Sequence, residues 1–381
     1  MKVGIVVPFS WSFWGGVPEH ADHQARTLHA LGHDARLIIG NDPPGKLTKA
    51  LHPRIGRHEP PPDYVIPVGR SVIVPANGSL SNIVLTPRSI GRIRRTLARE
   101  QFDVLHVHEP MTPIVSAMSL VLCDCPVVST SHSAGETLRW YSNMHRFWGF
   151  LAEQLDHKLA VSERARDVAL EHLGGPVEVL SNGVVMPPVA VHHGREPHVV
   201  FIGRNEPRKG LPVLLRAWPE VARRTGARLR VVGADPLSVR WLLRREGLEA
   251  PNVDLLGSIP EGPLTEELLA ASVLTAPSIG RESFGMVLTR AFGCATPVVA
   301  SDIEGYRDVA TPESSVLVPP GDEHALAEAL IALLEDDTRR ASLGAAGRRL
   351  VEEKYSWERI AGRLVEIYEE LAAMPLERAA A

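Results

Sequence analysis

From Val3 onward the chain alternates short β-branched apolar runs with stretches of helical spacing, and it does so twice. Runs of four to eight such residues bounded by turn signals read as strands buried on both faces, and strands that alternate with helices build parallel sheets. In the first series Val3 to Pro8 reads as a strand, Gly15-Gly16-Val17 as a turn, Pro18 to Leu31 as a helix and Ala35 to Ile39 as the next strand. Residues 41 to 64, rich in Pro, Gly and His, read as a long loop. Val104 to Val107, Pro126 to Thr130, Lys158 to Ser162 and Val177 to Leu180 continue the strands. Met186 to Pro197 mixes Pro, Gly and charge without periodicity, as a linker does. The second series then runs through His198 to Ile202, Arg228 to Val232, Val253 to Leu256, Val273 to Ala276, Pro297 to Ala300 and Ser315 to Val318. The expected fold is therefore α/β, with two Rossmann-like doubly wound parallel-sheet domains facing a cleft.

These patterns set domain bounds of 1–190 and 197–352. In the last segment, 353–374, Ile360, Leu364, Ile367 and Leu371 form one apolar stripe, so that helix is expected to pack back towards the N-terminal domain. The composition is that of a water-soluble chain, with 44% hydrophobic and 23% charged residues and a net charge of −4, which gives nucleic acid no general attraction. No apolar run approaches the length that crosses a bilayer, and the first residues read as a strand rather than a signal peptide, so a cytoplasmic protein is expected. Three cysteines, Cys123, Cys125 and Cys294, form no zinc pattern, and no Asp-x-Asp triplet is present to hold a divalent ion. The expected site uses no metal.

The stretch Ser278 to Ser301 carries the strongest local signal. Glu282 stands in a loop, and Ser283, Phe284 and Gly285 open a helix whose first amides suit an anion. Glu282 itself repels phosphate. It is either a first-turn partner of the helix dipole or an acceptor for sugar hydroxyls. Arg204, Arg208 and Lys209 follow the strand His198 to Ile202 at a turn; Glu206 is the only nearby acid in sequence, too few to pair all three, so at least two of them are expected to serve a diphosphate. His132, just past the strand Pro126 to Thr130, is either structural or a partner for hydroxyls. Gly15-Gly16 is either a plain turn or a place of close backbone approach to a ligand. Arg88, Arg92, Arg95 and Arg99 fall on one stripe opposite Ile90, Ile93 and Leu97, a face that is either merely solvated or drawn to an anionic membrane.

Taken in order, Pro8-Phe-Ser, Gly15-Gly16-Val17, Asp103-Val-Leu-His-Val-His-Glu-Pro110, Ser131-His-Ser133, Val161-Ser-Glu163, Ser181-Asn-Gly-Val184, Gly203-Arg204 through Arg208-Lys-Gly210, Glu282-Ser-Phe-Gly285 and Trp357 resemble, over nearly the whole chain, the retaining GT-B glycosyltransferases of family 4. The pattern is most similar to the actinobacterial phosphatidylinositol mannosyltransferases that use GDP-mannose. The resemblance implies that Arg204 and Lys209 hold the donor diphosphate with help from the amides after Glu282, that Glu282 binds the transferred sugar, that His132 lies beside sugar and acceptor, and that Gly16 contacts both. It implies a nucleotide-sugar donor, a lipid or small polar acceptor, and a basic helix docking the protein peripherally on the inner face of the plasma membrane. Two departures stand out. Where the family carries a second glutamate for the nucleotide ribose, this chain has Arg290; where the mannosyltransferases present tyrosine, glutamine and asparagine to the inositol phosphate, it has Phe9, Pro18 and Met111. Arg290 opens the alternative of a non-catalytic protein that binds a sugar or a partner.

Overall fold

A computed structural model of the chain describes residues 1–13, 15–52, 60–76, 79–132, 145–188, 197–280, 282 and 284–374. The chain forms two units, Met1–Gly183 with Trp357–Ala381, and Val184–Ser356. Of the segment read as a linker, residues 189–196 lie outside the described residues, as do Ser133 and Ser283.

In the first unit the strands are β1 (Lys2–Ser10), β2 (Asp34–Gly40), β3 (Val65–Gly69), β4 (Val72–Ala76), β5 (Ser79–Ile83), β6 (Val104–His108), β7 (Val127–Ser131), β8 (His157–Ala160) and β9 (Glu178–Val179). Seven of them run in the order β3-β2-β1-β6-β7-β8-β9, all parallel. Val3, Ile5, Val6 and Val7 are fully buried, as strands covered by helices on both faces require. The helix Gly16–Ala30 lays Ala21, Ala25 and Leu28 on this sheet. The helix Trp357–Ala372 joins the same core through Trp357, Ile360, Leu364, Ile367 and Tyr368. Its Arg363 grips Glu178 through two bonds, Nε to Oε1 at 2.9 Å and Nη2 to Oε2 at 3.1 Å.

The loop reading of residues 41 to 64 needs one correction, since Lys46–Leu51 is a short helix. The antiparallel pair β4 and β5 is an addition that no reading anticipated. It attaches to β1 at a single register position, Phe9 opposite Ile83.

In the second unit β10 (His198–Ile202), β11 (Arg228–Val232), β12 (Val253–Gly257), β13 (Val273–Ala276), β14 (Val298–Ser301) and β15 (Ser315–Val318) lie in the order β12-β11-β10-β13-β14-β15, again all parallel. In each unit the strand order reverses about the first strand, which has β2 and β6 as neighbours in one case and β11 and β13 in the other. Open α/β sheets bind ligands at the carboxyl ends of the strands beside such a reversal. The candidate site residues read from the sequence in each unit, Arg204 and Lys209 after β10 and His132 after β7, follow such strand ends.

Candidate active site

In the second unit, the chain leaving β10 passes Gly203 and makes a single 3₁₀ turn, Pro207–Lys209. Gly210 follows with a left-handed backbone (φ +71°), and a Cβ there would lie 1.8 Å from the Pro277 carbonyl oxygen. Glycine thus lets the loop after β10 press against the loop after β13, and the amide of Ile279 donates to the Arg208 carbonyl at 2.8 Å. Glu282 is seated in the same manner, because a Cβ on Gly305 would meet its carbonyl oxygen at 2.0 Å.

This juxtaposition corrects the reading that local acids leave the cations partly unpaired. Glu282, distant in sequence, supplies the missing carboxylate: its Oε1 receives Arg208 Nη1 and Lys209 Nζ, both at 2.8 Å. Glu206 takes Arg204 at 2.9 Å and Arg208 Nε at 3.0 Å. Arg204, Arg208 and Lys209 are thereby gathered with two carboxylates at the strand ends, with Glu282 only 11% exposed and Arg208 and Lys209 each 20%. Such an array suits a multiply charged anion better than a single one. The Tyr306 hydroxyl shares a 2.8 Å hydrogen bond with Ser278, and burial together with the Glu282 charge raises its pKa.

Gly285, also left-handed (φ +81°), opens the helix Met286–Gly293. Phe284 beside it is buried with its ring edge-on to Tyr355 at 5.5 Å. Arg290 lies on this helix with its side chain 24% exposed and 3.9 Å from Glu261, and burial lowers its pKa.

In the first unit, Gly15 precedes the helix Gly16–Ala30 with extended backbone, and both glycines are exposed. The helix brings His20, His23 and Gln24 towards the ends of β6 and β7. There His132 Nε2 meets His108 Nδ1 at 2.9 Å, and its amide donates to Glu109 Oε1 at 2.9 Å. Glu109 holds a left-handed backbone (φ +50°), uncommon for this residue type and frequent at functional positions. Burial first, then the neighbouring imidazoles, pulls the pKa of His132 and of His106 down to about 3 and those of His20 and His108 well below the usual histidine range. All four are neutral near pH 7.

Ring nitrogens of His20, His108 and His132 lie within 4.8 Å of one another, a grouping that could hold a metal ion. Both nitrogens of His108 are already committed, Nδ1 to His132 and Nε2 to Gln24 at 3.0 Å. Of the positions where the chain departs from the mannosyltransferase pattern, Pro18 and Met111 are buried, while Phe9 is partly exposed near the carboxyl end of β1.

The sequence reading assigned no role to His20, Gln24, His108 or Glu109. His20 and Gln24 are four apart on a predicted helix directly after Gly15-Gly16, and that spacing was the available signal. The arginine helix, Arg88–Glu100, buries Ser89, Ile93 and Thr96 and exposes Arg88, Arg92, Arg95 and Arg99, to which Arg94 must be added.

Two glycosyltransferase families match the two halves: Glycosyltransferase Family 4 over residues 14–186 and Glycosyl transferases group 1 over residues 196–336. The phosphatidyl-myo-inositol mannosyltransferase of Mycobacterium leprae is 34% identical over 384 residues, covering 98% of this chain and 97% of that protein. The chain belongs to glycosyltransferase family 4. A second relative of the family, the GDP-mannose-dependent monoacylated alpha-(1-6)-phosphatidylinositol monomannoside mannosyltransferase of Corynebacterium glutamicum, is 36% identical over 179 residues, 45% of this chain and 46% of that one. Among solved structures, sucrose-phosphate synthase from Thermosynechococcus elongatus superimposes with a TM-score of 0.72 at 21% identity, covering 98% of this chain and 99% of that one. The glycosyltransferase therefore has the GT-B fold, with one Rossmann-like domain in each unit. No helix among the described residues is long and apolar enough to cross a membrane.

Proposed function

We propose that this glycosyltransferase moves mannose from GDP-mannose to the headgroup of a phosphatidylinositol-type lipid, with retention of configuration and without a metal ion. The ion-paired cluster of Arg208, Lys209 and Glu282 carries the reading. An incoming diphosphate competes with Glu282 for Arg208 and Lys209. The donor phosphates then take the cations, Glu282 is released to accept hydrogen bonds from the sugar hydroxyls, and the same cations stabilise the leaving phosphate in the transition state. Arg204 adds a third cation. The amides of the Phe284–Gly285 segment supply neutral donors. His132, neutral at the strand ends of the first unit, offers a hydrogen-bond partner to acceptor hydroxyls.

Support for the donor and acceptor comes from the two mannosyltransferases to which the chain is similar. Cations at the diphosphate do the charge neutralisation that a metal does elsewhere, and metal capture by the histidine trio would have to break the His108–His132 bond. The exposed arginines of Arg88–Glu100 would bring the protein to an anionic lipid surface on the cytoplasmic side, where its acceptor resides. Arg290 occupies the position at which the family pattern implies a ribose contact. Since its guanidinium donates rather than accepts, the ribose hydroxyls would meet it through their oxygens.

The test is incubation of the purified protein with GDP-mannose or UDP-glucose and vesicles containing phosphatidylinositol, with products read by mass spectrometry and the new anomeric centre by NMR. An α-mannosylated lipid formed from GDP-mannose supports the reading. Donor binding without transfer to any acceptor would turn it towards the non-catalytic alternative.

A further inference from the structure

A chain of buried side chains runs from the helix Trp357–Ala372 to His132. The Gln24 amide nitrogen donates to the Tyr368 hydroxyl at 2.8 Å and approaches His106 Nδ1 at 3.1 Å. Tyr368 and His106 Nδ1 are 2.5 Å apart, and His106 Nε2 meets Thr130 Oγ1 at 2.7 Å. On the other side the Gln24 carbonyl oxygen faces His108 Nε2 at 3.0 Å, and His108 Nδ1 faces His132 Nε2 at 2.9 Å. Gln24, His106, His108 and Tyr368 are almost fully excluded from water, so every one of these contacts needs a donor and an acceptor.

The placement of protons follows from one fact of chemistry: an amide carbonyl only accepts. His108 must then carry its proton on Nε2, which leaves its Nδ1 as a lone pair. His132 must place its own proton on Nε2 to satisfy that lone pair. Its Nδ1 is left bare, and it has no hydrogen-bond partner among the described residues. Rotating the Gln24 amide by a half turn would reverse every assignment and leave His132 with an N–H on the open side instead. The side chain at position 24 therefore decides what His132 presents.

We propose that Gln24 is a positioning residue for transfer: through His108 it fixes His132 in the Nε2–H tautomer, so that His132 Nδ1 accepts a hydrogen bond from a hydroxyl of the bound sugar or acceptor. This rests on the transferase reading of the site. His20 packs beside the same place: its ring is 5.2 Å from that of His132 and 4.9 Å from that of Trp357.

The experiment uses the full chain labelled with ¹⁵N-histidine. Two-bond ¹H–¹⁵N correlation reads the tautomer of each imidazole, with His132 assigned through its loss in His132→Asn. The wild-type protein is expected to show His132 protonated on Nε2 only. In Gln24→Met, which keeps the volume and removes both polar ends, His132 populates both tautomers. Transfer from GDP-mannose to phosphatidylinositol vesicles then loses about 10-fold or more in kcat, while the donor KM stays within about 2-fold, as a misplaced tautomer rather than lost binding requires. A wild-type His132 protonated on Nδ1 overturns the proposal. So does a Gln24→Met protein with unchanged tautomer, whether kcat is kept or lost, since a loss without a tautomer change is a packing effect. The wild-type spectrum needs neither a variant nor turnover. Absence of any transfer by the wild-type protein would count against the transferase reading alone.

Discussion

Lys209 shows how much a single side chain is asked to do. With Arg208 it shares one oxygen of Glu282, and in the proposed reaction both cations pass to the donor diphosphate. Lys209→Ala should lower transfer by about 100-fold or more, the scale of losing one charged stabiliser of a transition-state anion. The melting temperature should move little, because Arg208 still holds Glu282; a variant with wild-type turnover would remove Lys209 from the chemistry. Gly305 is the matching backbone case. A Cβ placed 2.0 Å from the Glu282 carbonyl oxygen forces one loop to shift, so Gly305→Ala should abolish donor binding in calorimetry. The positions of the cations and of Glu282 were legible in the sequence, since glycine turns and strand ends mark them. Their pairing was not. Glu282 meets Arg208 only because Gly210 and Gly305 let three separate loops touch, and no local pattern records an approach of that kind.

At the scale of elements, the helix Trp357–Ala372 was legible through its apolar stripe, and Leu364 is 2% exposed in the core beneath it. Leu364→Ala should cost about 2–5 kcal/mol by urea denaturation. What the stripe concealed is Tyr368, which sits one turn beyond Leu364 and turns a packing helix into part of the imidazole network. Hydrophobic periodicity reports burial and is blind to which buried groups hydrogen-bond. That network also makes stability depend on pH. His106 and His132 have folded pKa values of about 3 against about 6.5 when unfolded, so between these values the unfolded chain binds more protons. Stability is fully present above about pH 6.5 and falls as the pH drops below it, by up to about 1.4 kcal/mol per pH unit for each such histidine. Urea midpoints at pH 7.5 and pH 5 check this, and equal midpoints would contradict it. The arginine helix makes a separate prediction. Arg92, Arg95 and Arg99 changed together to Ser should weaken binding to anionic vesicles at low salt, with the difference fading as salt rises. Unchanged partition would confine that helix to a solvated face.

For the whole molecule, two strand-helix series in one chain were enough to give two parallel-sheet α/β domains, because β-branched runs between helices have few ways to bury both faces; the GT-B assignment came from the family resemblance. The added antiparallel pair β4 and β5 escaped notice because it joins the main sheet at one residue pair and shows no long period of its own. Substrate choice is less legible than fold at this scale, since Phe9, Pro18 and Met111 replace residues that the family pattern assigns to the lipid headgroup, and two of the three are buried. The most direct measurement is therefore transfer itself, with purified protein, GDP-mannose and vesicles containing phosphatidylinositol, followed by mass spectrometry of the lipid. One added hexose per phosphatidylinositol, formed about 100-fold or more slowly by Lys209→Ala, is the predicted result. Donor bound and hydrolysed with the lipid untouched would contradict the acceptor, and no binding of GDP-mannose at all would contradict the account as a whole.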